Sequence, residues 1–213
     1  MITDLPHAGA VIDEWVFAAW SPDASVGAIS GHRLVAGRAW YWSAVVRAGS
    51  PLLHLAEWNV VRRSEVFVVK APEMWAEHHC VTPYEQWSIG NEAFFVALDD
   101  PDDALDLAYG TPTATALDLE WYASTQPHEI ADGFSQAGVV HGRIEVLGIP
   151  PIDLAEVPAQ RWRRSTAGVA LRPVQLPEAV AHTGLRAPFA YPDGSSSDWV
   201  LTPTGWRSRS RSR

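Results

Sequence analysis

Three residues at two-residue spacing, His141, Arg143 and Glu145, lie on the stretch Phe134 to Gly148, FSQAGVVHGRIEVLG. In an extended strand alternate residues share a face, so the Cα atoms of this row stand about 6.5–7 Å apart in succession. Turned inward, the row assembles an imidazole, a cation and a carboxylate, and a desolvated Glu145 with a raised pKa would protonate an alkene or activate water. Turned outward, it is an ordinary solvated strand face, the usual place for Arg and Glu. His54, on the run Leu52 to Val61, joins His141 and Glu145 as a candidate catalytic group. His78-His79-Cys80 suggests a metal at first sight, but neighbours on a strand point to opposite faces, and neither H-x-H nor H-E-x-x-H occurs, so no metal is expected. A glycine-rich phosphate loop and a G-x-S-x-G turn are also missing, and no cofactor is expected.

The chain holds eleven tryptophans among 213 residues. Each indole has roughly 150–250 Å² to hide, which demands a large core or a large pocket. Trp15, Trp42, Trp58, Trp87 and Trp121 fall on predicted strands, and Tyr84 opens another; these six are the candidate ligand-binding set. In a barrel of about eight strands, inward side chains either fill the interior or surround one ligand. The first alternative is a structural or protein-interaction module, with a homodimer as one partner. The second is a cavity for a hydrophobic small molecule, with or without cofactor-free hydratase, cyclase or isomerase chemistry.

The elements that must position these groups are strands. Phe134 to Gly148 contains three glycines, each costing roughly 1 kcal/mol inside a helix but marking bulges and bends in a strand. Period two puts Phe134, Gln136, Gly138, Val140, Gly142, Ile144 and Val146 on one face, opposite His141, Arg143 and Glu145. Glu14 to Trp20, Val26 to Ile29, His32 to Val35, Trp40 to Val46, Leu52 to Val61, Val66 to Val69, Tyr84 to Ile89, Phe94 to Leu98, Ala116 to Tyr122, Val169 to Leu171 and Asp198 to Thr202 also have β character, punctuated by Gly and Pro turns. Trp40, Trp42, Ala44 and Val46 share a face, as do His54, Ala56, Trp58 and Val60. Asp99 to Asp103 reads as a turn or a helix start. The fold class is all-β, an antiparallel barrel with a short irregular C-terminal extension. Residues 1–12 form an N-terminal arm, 13–206 one barrel domain, and 207–213 a disordered Arg/Ser tail.

Charge narrows the partners. The net charge is −9, and without the four arginines of the last seven residues the body stands at −13, a poor match for nucleic acid. The single cysteine, Cys80, leaves no intrachain disulfide and fits a reducing compartment. No basic leader followed by an apolar run opens the sequence, and no stretch of about 18 apolar residues occurs, so a cytoplasmic protein without a membrane span is expected.

EWVFAAW, YEQWSIG, ALDLEWYA and FSQAGVVHGRIEVLG followed by QRWRRSTAG together resemble the lipocalin-like hydroxyneurosporene synthase group, the carotenoid hydratases and their relatives in the calycin class. The resemblance covers roughly Asp13 to Gly168. It implies a calycin-type barrel whose cavity holds an isoprenoid, steroid or polyketide-like molecule. Members carry an Arg-Asp-(His or Arg)-Ser-Trp-Gly segment after the long glycine-containing strand, where this chain reads Arg161-Trp162-Arg163-Arg164-Ser165, without the aspartate. They also tend to have two barrel halves, and 213 residues hold one.

Overall fold

The computed structural model describes residues 3–62, 67–168, 171 and 185–210. Its strands are β1 (Ile12–Trp20), β2 (Val26–Val35), β3 (Arg38–Arg47), β4 (Leu52–Val61), β5 (Val68–Ala71), β6 (Met74–Thr82), β7 (Gln86–Leu98), β8 (Thr111–Ala123), β9 (His128–Ile130), β10 (Gly133–Val146), β11 (Ile152–Thr166), β12 (Leu185–Ala190), β13 (Ser196–Thr202) and β14 (Gly205–Ser210). The acidic segment forms a 3-10 turn, Pro101–Leu105, capped by Asp100, whose carboxylate accepts the Asp102 N–H at 2.9 Å. The strand expected at Val169 to Leu171 falls, apart from Leu171, outside the described residues.

Pairing runs β4-β3-β2-β1-β11-β10-β8-β7 and returns to β4 through Leu52↔Leu98, Leu53↔Ala97 and His54↔Val96, so eight antiparallel strands close a barrel-like ring. One edge of β7 pairs with β8 throughout, and the other is shared: its first half pairs with β6 and its last residues with β4. The β5–β6 hairpin is thereby wedged into the ring beside β4. β7 alternates cleanly, with Trp87, Ile89, Asn91, Ala93 and Phe95 buried, and β8 does the same with Leu117, Leu119 and Trp121. On β10 the inward set is Phe134, Gln136, Gly138, Val140 and Ile144, the face that period two predicts, with a bulge between Val140 and Gly142.

β1, β2 and β3 are buried along almost their whole length, because a second sheet, β12-β13-β14, lies on their outer side. Two apolar clusters result. One fills the ring and contains Trp15, Phe17, Tyr41, Trp87 and Trp121; the other lies between ring and cover and contains Val16, Trp20, Trp40, Trp42, Phe189, Trp199 and Trp206. Of the expected disordered tail, Arg207–Ser210 belong instead to β14, whose backbone pairs with β13, while 211–213 lie outside the described residues; the indole of Trp206 donates to the Ala19 carbonyl at 3.1 Å. An alternating Arg/Ser segment becomes a strand because its neighbour offers a ladder edge, which composition does not reveal.

Two glycines let indoles lie flat across strands. A Cβ on Gly31 would stand 2.1 Å from Trp42 Cε2, and one on Gly138 would stand 2.5 Å from Trp121 Cε2.

Candidate functional site

Inside the ring, β1 contributes Trp15 and Phe17, β2 Ser30 and His32, β3 Tyr41, β6 His78, β7 Trp87 and Asn91, and β8 Trp121, with Phe67 approaching from just before β5. The two buried histidines face each other with ring centroids 5.9 Å apart. His78 Nε2 lies 2.7 Å from Ser30 Oγ, which in turn lies 2.9 Å from the Tyr41 hydroxyl. Phe17 and Tyr41 pack on His78 at 5.1 and 6.0 Å, and Trp15 and Phe67 on His32 at 5.9 and 6.1 Å. Burial drives the His32 pKa down to about 3, helped by the Arg62 charge, and holds His78 well below the ordinary imidazole value. Burial also pushes the Tyr41 phenol up to about 12. All three groups are therefore neutral at pH 7.

Among the described residues, both ring nitrogens of His32, Nδ1 of His78, the indole nitrogens of Trp87 and Trp121 and Oδ1 of Asn91 are buried without a hydrogen-bond partner. Buried polar groups nearly always have one, and each orphan costs about 1–3 kcal/mol. Six in one interior form a concentration of unused donors and acceptors walled by aromatic rings. If His78 Nε2 accepts from Ser30, its Nδ1 carries a free N–H; if Nε2 donates, Nδ1 is a free acceptor.

The end of the ring nearest the N-terminus is sealed. Asp4 of the arm accepts from Arg161 at 2.6 and 3.1 Å, and the Asp4 carbonyl accepts from Trp15 Nε1 at 2.7 Å. Arg161 also bonds Gln136 and stacks over Trp121 at 4.8 Å, while Arg163 pairs with Asp13 at 2.6 Å and lies 4.1 Å over Trp15. On the outer side, Glu14 holds Arg33 and Arg164, and burial's upward push on its carboxyl is outweighed by those two guanidiniums. An enclosed space lined by Phe17, Ser30, Ile89, Leu119 and Val140 amounts to only about 10 Å³, the room of one water.

The residues singled out from sequence divide into groups. Trp15, Trp87 and Trp121 are interior, as expected for a ring lining. Trp42 and Trp58 are not: they lie outside the ring, both against Tyr191 at 5.3 and 5.5 Å, and Trp58 borders a cleft of about 550 Å³ with Trp40 and Pro192. His54 stacks on Phe189 at 4.8 Å in that same outer layer, with burial lowering its pKa to about 4. Val60 parts from His54 and Trp58 because Asn59, at φ 65°, turns the strand over and sends it to the ring core. Tyr84 sits in the turn before β7, its ring 5.8 Å from Phe134 at the sealed end.

His141, Arg143 and Glu145 all face away from the interior. His141 is 46% exposed and 3.9 Å from Glu156, Arg143 pairs with Asp153 at 2.7 Å, and Glu145 borders surface clefts with Trp75 and Glu92. Arg143 and Glu145 line one surface cleft of about 540 Å³ with Asp118 and Glu92, His141 is not among its walls, and His54 lies elsewhere, in the outer layer. His78 and His79 point to opposite faces as strand geometry requires, buried and exposed respectively. Among the described residues no three His, Cys, Asp or Glu side chains gather as a metal site.

Sequence reasoning missed His32 and underrated His78. The available signal was an isolated histidine at an inward position of a strand otherwise apolar on that face, and that signal is weak without the strand pairing.

No protein-family model matches the chain, and no curated protein or solved structure matches it. No helix among the described residues is long and apolar enough to cross a membrane.

Proposed function

We propose that this protein binds a hydrophobic small molecule inside the ring, with the polar end of the ligand on the His32–His78–Ser30–Tyr41–Asn91 cluster and its apolar body among Trp15, Phe67 and Trp87, whose rings touch one another and must part to admit it. The observation that carries this is the set of unpartnered buried polar atoms facing one aromatic interior. Orphaned donors and acceptors lower stability unless something uses them, whereas a core built only for packing would carry leucine or phenylalanine in place of His32. The likeness to the hydroxyneurosporene synthase group supports the same class of ligand, an isoprenoid, steroid or polyketide-like molecule. Binding fits the chemistry better than catalysis: imidazoles as hard to protonate as His32 and His78 are weak acid–base groups at pH 7. The outward His141 and Glu145 are remote from that interior.

Mutual contacts of the interior rings, with Phe67 4.9 Å from Trp15 and 5.3 Å from Trp87, favour a second reading. In it the tryptophans only fill the core, and the protein is a structural or interaction module. Titration of intrinsic tryptophan fluorescence with geraniol, farnesol, estradiol and the polyketide naringenin separates the two. Saturable change with at least one class is expected; a flat response to all four, with a dimeric solution mass, establishes the second reading instead.

A further inference from the structure

Glu57 is a carboxylate of the interior that the chemistry above leaves unused. It lies directly opposite Tyr41 in the β3–β4 register, two residues beyond Leu55 and four beyond Leu53, which pack into the ring core. Residues directly opposite in an antiparallel pair project from the same face with Cβ atoms about 4.5–5.5 Å apart, so Glu57 faces inward beside Tyr41. It is half-buried, and no hydrogen bond or ion pair holds it among the described residues. The other two inward carboxylates, Asp4 and Asp13, are neutralised by Arg161 and Arg163.

The place of Glu57 in the ring explains its partial exposure. β4 pairs with β7 only over Leu52–His54, after which the β5–β6 hairpin intervenes, and among the described residues no ladder joins β4 to β5. Glu57 therefore stands just past the point where β4 parts from β7, next to Tyr41 of the His78–Ser30–Tyr41 chain. Partial burial raises its pKa, as for any carboxyl that loses water without gaining a counter-ion.

We propose that Glu57 is the specificity-determining anchor of the interior site and that it selects an apolar ligand carrying an amine; this rests on the binding reading above. An ammonium placed there would gain a charge-assisted bond to Glu57 and the face of Tyr41, which stands directly opposite. The nearby cations lie to either side: Arg62 is exposed at the end of β4 and acts on His32, and Lys70 is exposed on β5. Their repulsion leaves Glu57 as the place where a positive head group is tolerated.

Three probes with one ten-carbon body test this at pH 7 by tryptophan fluorescence: geraniol, geranylamine and geranic acid. Geranylamine is expected to bind about tenfold more tightly than geraniol, with geranic acid weakest, as one charge-assisted bond predicts. Glu57→Gln should bring geranylamine down to the level of geraniol and leave geraniol within about twofold of its original affinity, while Glu57→Asp keeps the amine preference. Geraniol binding without an amine preference, or an amine preference that survives Glu57→Gln, overturns the assignment while leaving the binding site itself in place. If none of the three binds while estradiol or naringenin does, this inference fails and the binding reading stands; if none of these probes binds, both fail.

Discussion

Replacing His32 by leucine separates a binding interior from a packing interior. His32 is 1% exposed, and both ring nitrogens lack partners among the described residues, so His32→Leu removes two unsatisfied polar atoms at nearly constant volume. At pH 7.5 the variant should be as stable as the parent or more stable by about 1–3 kcal/mol, the cost of burying unpaired polar groups. The effect grows with acid. In the unfolded chain His32 binds a proton near 6.5, but in the folded protein only near 3, so between these values the unfolded state holds more protons. The stability His32 permits is fully present above about pH 6.5 and falls as pH drops, by about 1.4 kcal/mol per unit, reaching about 2 kcal/mol by pH 5. His32→Leu should flatten urea-derived stability against pH by one proton over that window. Its affinity for geraniol should meanwhile drop about tenfold or more, because the polar end of the site is gone. A variant at least 2 kcal/mol less stable at pH 7.5 with an unchanged pH slope, or one that binds as before, refutes the reasoning.

Three further outcomes follow from the packing. Asp4→Ala strands the Arg161 guanidinium, 1% exposed, without its counter-ion and should lower unfolding free energy by about 3–5 kcal/mol in chemical denaturation. Gly31→Ala drives a methyl into the Trp42 indole and should cost at least about 2 kcal/mol, part of which Trp42→Leu restores in a double-mutant cycle. His141→Ala and Glu145→Ala, which remove exposed groups outside the interior, should each leave melting behaviour within about 0.5 kcal/mol and probe affinity unchanged; a tenfold loss of affinity would return the outward row to the site.

The all-β class and the inward face of Phe134 to Val146 were legible in the sequence, because period-two alternation is local information, whereas Val26 to Ile29 and His32 to Val35, and Tyr84 to Ile89 and Phe94 to Leu98, which read as separate strands, run through as β2 and β7. Also legible was the separation of His78 from His79, since neighbours on a strand cannot share a face. Burial of Leu117, Leu119 and Trp121 on one side of β8 followed from the same alternation. The side of the ring on which Trp40, Trp42 and Val46 lie was not legible: a strand covered on both faces shows apolar residues in either phase, and only the docking of β12–β14 assigns one phase to the cover and the other to the interior. The fate of Arg207–Ser210 turned on the same sheet.

The candidate site belongs almost wholly to the tertiary structure. His32, Tyr41, His78 and Asn91 come from four strands spread over sixty residues, and ring closure through β7 and β4 brings them together. The inward histidines carry no spacing that marks them, because chemistry between strands leaves no period along the chain. The sequence alone puts His32 and Tyr41 on strands; Asn91 falls between two of the expected strands and His78 outside them, and the pairing of β6 with β7 brings both into the sheet. Which of them lose water, and which lose their partners with it, depended on the sheets closing around them.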